Sequence, residues 1–228
     1  MRSLVVITAG LSTPSSTRKL ADALSAAAQA KVTARGESLD IHVVELRELA
    51  TELAQAMTNW GAATPHLDEA KRLLSTADGL IAVTPAFQGS YSGLFKMFFD
   101  TLDPHALDGL PTLIGATGGS ERHALMLDYA MRPLFNYLHA VVVPTGVFQS
   151  TGEFGAASAE GESIDGRIQR AATQLADLMV APTDRVGGLS GIGATTTEPA
   201  ARRTGLDLEE DFTPFSQLLG GHDGTPDL

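Results

Sequence analysis

Short runs of apolar, mostly β-branched residues recur along this chain, and between them lie small polar loops and stretches with helical spacing. Leu4–Ala9, closed by Gly10, reads as a buried strand, and Ser15–Ala34 carries Leu20, Ala23, Leu24 and Ala27 on one helical face. Ile41–Glu45 is a second strand, and 46–64 has no resolvable period. Leu67–Thr76 is a helix with Leu67, Ala70, Leu73 and Leu74 on one side. Gly79–Thr84 is the third strand and Ser92–Leu102 the helix after it. Thr112–Ala116 is the fourth strand, broken by Thr117-Gly-Gly-Ser120. His123–Leu138 then keeps a helical pattern although Pro133 lies inside it. Val141–Phe148 is the fifth strand, and Ser163–Met179 is a last helix with Ser163 as its N-cap.

Strands separated by helices must run parallel, because each crossover returns the chain to the same edge of the sheet. Five such strands predict a doubly wound α/β sheet with helices on both faces. Right-handed, short connections leave the flavodoxin-like order 2-1-3-4-5 as the best fit. The 228 residues divide into a sheet domain, 1–182, and an extended C-terminal tail, 183–228, that is acid-rich and largely irregular. Residues 150–162, rich in Gly, Ala, Ser and Glu, read as a mobile loop.

Composition narrows the function. A net charge of −11 argues against nucleic-acid and anionic-membrane partners, which carry the same sign. With no cysteine there is neither thiol catalysis nor a disulfide framework. No apolar run approaches the ~20 residues of a membrane span, and the first residues lack a secretory pattern. The expectation is a cytoplasmic protein.

Three loops follow strands one, three and four, and in this topology they open on one edge at the switch point of the sheet. The first, Gly10-Leu-Ser-Thr-Pro-Ser-Ser-Thr17, has hydroxyls at Ser12, Ser15, Ser16 and Thr17 where a helix begins, with no acidic residue nearby. Free N–H groups, hydroxyls and the helix dipole suit one phosphate dianion, although the same pattern also describes an ordinary N-cap. Neither the dinucleotide fingerprint GxGxxG nor the triphosphate loop GxxxxGK[ST] is present. A single phosphate monoester remains, which FMN carries. The second loop, Pro85-Ala86-Phe87-Gln88-Gly89-Ser90-Tyr91-Ser92-Gly93, offers Phe87 and Tyr91 for a flat ring and Gly89 and Gly93 for close backbone approach. The third, Thr117-Gly118-Gly119-Ser120, lets a ligand lie on bare backbone. His123 reads as a helix-start residue before a catalyst, and Lys96 with Asp100 as a solvated i,i+4 pair.

Three stretches resemble the NAD(P)H-dependent FMN reductases of the flavodoxin-like superfamily, closest to those serving two-component flavin monooxygenases. They are Ser12–Thr17, Ala82–Lys96, and Ala116–Ser120 taken with Leu127-Asp-Tyr-Ala-Met-Arg-Pro133; the resemblance spans about residues 3–180. It implies hydride transfer from NADPH or NADH to FMN, a homodimer or homotetramer, and a monooxygenase that consumes the reduced flavin. It places the phosphate on Ser12, Ser15, Ser16 and Thr17. The ribityl chain and ring fall on Pro85, Ala86, Phe87, Gln88, Gly89, Ser90 and Tyr91, with Thr117, Gly118, Gly119 and Ser120 at the far edge. Many relatives carry an Arg inside the phosphate loop, whereas here the nearest is Arg18, one turn into the helix. Arg18 and Arg122 are the candidates for recognising a nicotinamide 2′-phosphate.

Hydride transfer asks little of side chains, since the cofactors carry the chemistry, and no acid/base pair or nucleophile stands out here. No residue is assigned a catalytic role and no metal is expected. The alternatives are an FMN-bound quinone or azo reductase, and a flavodoxin-type electron carrier without NAD(P)H oxidation. The carrier fits less well, because such proteins sandwich flavin between aromatics and the one Trp, Trp60, lies outside the three loops. Pro133 has no N–H, so the carbonyl of Tyr129 loses its usual donor. A kink or widened turn is expected there. The resemblance, whose members use this helix in subunit contacts close to the flavin, implies that Tyr129 approaches a flavin site at an interface. The alternative is a core tyrosine beside a tolerated proline. Phe212, Phe215, Leu218 and Leu219 in the tail form a candidate apolar anchor.

Overall fold

β1 (Arg2–Thr8) shows how the molecule is layered. Its residues alternate between two cores: Val5 and Ile7 enter one buried cluster, Leu4 and Val6 the other. All four are fully buried, as expected of a strand covered by helices on both faces. The computed structural model describes residues 1–59, 63–153, 163–180 and 201–204. The loop expected at 150–162 lies outside these beyond Glu153, as does the tail except for 201–204, with its apolar anchor.

The sheet has seven strands, ordered β2-β1-β3-β5-β6 with β4 on β3 and β7 on β5. Here β2 is Leu39–Glu45, β3 Gly79–Phe87, β4 Ser90–Tyr91, β5 Pro111–Gly118, β6 Val141–Val142 and β7 Val147–Ser150. The flavodoxin-like order 2-1-3-4-5 is therefore present, but the count of five needs two corrections. The outer strand expected over Val141–Phe148 is split. Thr112 pairs with Val142 and Gly115 with Val147, so the outer strand carries more residues than its partner across the break. Pro144 has no N–H for the ladder, and Arg132 takes the freed carbonyls of Val143 (3.1 Å) and Pro144 (3.0 Å).

The second correction falls on the loop after the third strand. β3 runs on past Thr84 to Phe87 and turns back as a two-residue hairpin, pairing antiparallel with β4. Gln88 (φ 50°) and Gly89 (φ 80°) form its tip, and two positive φ values in succession match the twist of a tight hairpin.

α1 (Ser16–Thr33) and α6 (Ile164–Met179) cover one face of the sheet, packing on Leu4, Val6, Ile81, Val83 and Leu113. The other face takes α2 (Ala50–Thr58), α3 (Pro65–Thr76), α4 (Gly93–Asp100) and α5 (Arg132–Tyr137). Phe95, Phe99 and Phe135 meet there, Phe99 edge-on to Phe135 at 4.9 Å. The stretch 46–64, which shows no clear period in the sequence, contains a 3-10 turn, Leu46–Leu49, and α2.

The helix expected over His123–Leu138 is three pieces: a 3-10 turn at Glu121–His123, a π-turn at Leu127–Met131, and α5. Arg132 N–H reaches back to Leu127 O, the wide-turn bond. The defect that Pro133 forces is thus absorbed just upstream of the ring, as the missing N–H predicts. Tyr129 sits on this turn, 80% exposed.

Candidate functional site

The carboxyl ends of β1, β3 and β5 open into one cleft of about 340 Å³, lined by Leu11, Ser12, Ser16, Thr17, Pro85, Ala86, Phe87, Thr117, Gly118, Gly119 and Thr151. Its size falls within the roughly 300–1,000 Å³ typical of small-molecule sites. All three loops singled out from the sequence contribute to it.

The first loop is shaped by Ser15, whose hydroxyl accepts from Arg18 N–H (3.1 Å) and caps α1. That hydroxyl occupies the space a side chain at Gly10 would need: an added Cβ would lie 2.0 Å from Ser15 Oγ. Ser15 therefore serves the backbone, while Ser12 and Ser16 are exposed on the cleft. Thr17 is buried and shares a 2.8 Å hydrogen bond with Thr117 on β5. This bond ties the first loop to the third. Only one of the two protons is used in it, so the pair keeps a second O–H for another acceptor.

On β3, the Thr84 hydroxyl accepts from Ser92 N–H (3.0 Å), and Ser92 in turn caps α4 by accepting from Phe95 N–H. Thr84 thereby clamps the base of the hairpin. Pro85, Ala86 and Phe87 form the apolar wall of the cleft, with Phe87 46% exposed. Gln88 and Gly89 at the hairpin tip, and Ser90 and Tyr91 on its return strand, lie outside the lining. Tyr91 turns to the core instead, its ring 5.8 Å from Phe95.

In the third loop, Gly118 must be small: an added Cβ would come 2.8 Å from Phe148 Cζ. Gly119 faces open space. Ser120 is not in the lining and caps the following 3-10 turn by accepting from Arg122 N–H. Arg122 and His123 are exposed on that turn.

Leu11 and Thr151 line the cleft without having been singled out. Leu11 lies in the first loop beside Ser12, and being apolar it carries no sequence signal for a phosphate. Thr151 follows β7, whose end lies two residues beyond the Phe148 expected from the apolar run; its hydroxyl donates to Gly118 O (3.3 Å).

Charge is arranged around the cleft, not in it. None of the lining residues is ionisable. Arg18 is bound to Asp22 (2.7 Å) and to Glu45, and hydrogen bonding to Asp22 above all raises its pKa from the ordinary value. Arg47, in the 3-10 turn after β2, hydrogen-bonds Thr13 in the first loop.

The donor set fits FMN. Ser12, Ser16 and the uncapped N–H groups of an 18-residue helix with no acidic first turn suit the phosphate. Apolar Pro85, Ala86 and Phe87 beside the bare Gly118–Gly119 backbone of the neighbouring strand suit a planar ring.

Comparison with known proteins points the same way. The sequence profile of the family described as NADPH-dependent FMN reductase matches residues 2–154. An NADH-dependent FMN reductase, SfnE, of Pseudomonas putida is 38% identical over 178 residues, covering 77% of this chain and 91% of its own. An NADPH-dependent FMN reductase of Pseudomonas aeruginosa is 37% identical over 177 residues, again 77% and 91%. Among solved structures, an oxidoreductase from Corynebacterium diphtheriae superimposes with a TM-score of 0.75 at 55% identity, covering 78% of this chain and 97% of that one.

Proposed function

This chain belongs to the NADPH-dependent FMN reductase family and is an oxidoreductase that uses FMN with NAD(P)H as reductant, and we propose that its cleft at the carboxyl rim is where the flavin binds. The observation that carries this reading is the make-up of the lining: hydroxyls of the first loop, the apolar Pro85–Phe87 segment of the second and the bare Gly118–Gly119 backbone of the third, with no ionisable group among them. When bound there, FMN supplies the hydride-accepting centre.

The chain's own residues bind and orient. Ser12 and Ser16 donate to the phosphate end, Leu11 and Phe87 keep water from the ring, and the Thr17–Thr117 bond fixes the first loop against the third. Because no carboxylate or imidazole lines the cleft, the site is built to align two rings, not to move a proton through a side chain. The open mouth suits a flavin that leaves as product to supply a monooxygenase, in a cytoplasmic enzyme. Among the described residues no helix is long and apolar enough to cross a membrane.

The relatives of nearly equal identity are named for different nicotinamides, so overall similarity does not assign the preference here. A homodimer or homotetramer is supported by the exposed apolar side chains along the interrupted helix: Tyr129 at 80%, Tyr137 at 75% and Leu125 at 63%. In that assembly Tyr129, carried outward by the π-turn, approaches the flavin of a neighbouring subunit. Tyr129→Ala with unchanged flavin affinity, turnover and oligomer mass would remove that idea.

The decisive assay follows NADPH and NADH oxidation with excess FMN, riboflavin, FAD or a quinone. Oxidation sustained by free FMN supports the proposal. Oxidation that needs a quinone, or none with either nicotinamide, would overturn it.

A further inference from the structure

Among the described residues, Arg47 is the cation that hydrogen-bonds a side chain of the hydroxyl loop, and it comes from the 3-10 turn that follows β2. Its anchor is Glu45, the last residue of β2, which pairs in register with Thr8 at the end of β1. Glu45 therefore stands on the same rim as the loop that β1 feeds. Its two oxygens take two arginines: Oε1 binds Arg18, and Oε2 binds Arg47 Nε at 2.9 Å. Arg47 Nη1 then donates to Thr13 Oγ1.

The two arginines are committed differently. Arg18 is satisfied by two carboxylates, Asp22 and Glu45. Arg47 shares one carboxylate, spends its other contact on a neutral hydroxyl, and its Nη2 has no hydrogen-bond partner among the described residues. A bond from guanidinium to a neutral hydroxyl is the weaker kind, and an anion offering two oxygens replaces it with gain. Arg47 is also one-third exposed, so it can turn to a ligand without unburying.

We propose that Arg47 is the phosphate-binding cation of this cleft. A phosphate monoester held by Ser12 and Ser16 takes Arg47 away from Thr13, while Glu45 keeps the opposite edge of the guanidinium in place. This deepens the assignment of the cleft to flavin and rests on it. Two monoesters have the required chemistry, the 5′-phosphate of FMN and the 2′-phosphate of NADPH. Contact with the loop that leads into α1 favours the first. A cation supplied by the turn after β2 also accounts for a hydroxyl loop that carries no Arg of its own.

The test is titration of FMN and of riboflavin, which lacks the phosphate, into wild type, Arg47→Ala and Arg47→Lys, followed by KM for NADPH and NADH. Loss of a charge-assisted contact should weaken FMN on the order of tenfold to a hundredfold in Arg47→Ala, with riboflavin unmoved and Arg47→Lys in between. A fall confined to NADPH, leaving both flavins and NADH as they were, keeps the phosphate-binding role but assigns it to the 2′-phosphate. Equal losses for FMN and riboflavin, or none for any ligand, overturn the proposal. A wild type that binds neither flavin instead sinks the assignment of the cleft itself.

Discussion

The two rims of the sheet are opposites. At the amino rim, charges are many and satisfied by one another. Arg2 meets Asp78 at 3.0 Å, and Asp78 also accepts from Ser3 N–H. Asp108 is bracketed by His139 Nδ1 at 2.8 Å and His105 Nδ1 at 3.0 Å. Arg202 spans the carbonyls of Ala77 (2.8 Å) and Asp108 (3.1 Å) and fastens the segment 201–204 there. At the carboxyl rim the cleft is lined by nothing ionisable, yet the Ser12 and Ser16 hydroxyls on it have no hydrogen-bond acceptor among the described residues. The density of charged groups therefore does not mark the working edge. Donors without partners do, because an incoming anion meets no competitor there.

The comparison breaks most sharply at Gly10. Gly10→Val should abolish FMN binding in a fluorescence titration, since the new side chain must expel Ser15 from the cap. An overpacked site costs about 1–3 kcal/mol, visible as a lower urea midpoint. Normal flavin affinity in that variant would mean the loop shape is irrelevant. Thr117→Val comes next. It leaves the buried Thr17 hydroxyl without its partner, at a cost of roughly 1–3 kcal/mol, and should weaken FMN several-fold; a neutral result would show that the two loops are not held by this bond.

At the amino rim, stability and ligand binding should separate. Arg202→Ala is expected to lower stability by about 1 kcal/mol, the usual net worth of such hydrogen bonding, with FMN affinity intact. A change in flavin affinity would couple the two rims. The smallest effect concerns pH. Partial desolvation pushes the Asp108 carboxyl up, but the hydrogen bonds from His139 and His105 outweigh it and hold its pKa below the ordinary value. A depressed carboxylate stabilises the fold above its unfolded pKa, about 4, and that contribution is lost as pH falls through the lower folded value. Wild type should thus lose part of its advantage over Asp108→Asn on acidification below about pH 4. A stability difference that stays constant from pH 7 to pH 3 would remove Asp108 as its source.

Much of the fold could be read from the chain because it follows from local rules. Period-two and period-3.6 patterns located the sheet core and five of the helices, and Ser15, Ser92 and Ser163 cap where their positions suggest. Lys96 and Asp100 pair on α4 as their spacing implied. Pro133 announced a helix defect that became the π-turn. The failures have local causes too. An apolar run hid the break at Pro144, and a loop rich in Gly and Ser concealed a hairpin that turns Tyr91 into the core.

Sequence alone determined that strands would alternate with helices, that three small-residue loops would share one rim, and that an anion would suit the first of them. These follow from backbone sterics, burial of apolar periods and the chirality of crossovers, which act over a few residues at a time. Only the tertiary structure decided which hydroxyls stay free, that Thr17 meets Thr117 a hundred residues away, and that Arg47 reaches from the turn after β2 to Thr13. Such pairings depend on strand register and on which donors the fold has already spent, and neither is written in any short stretch of chain.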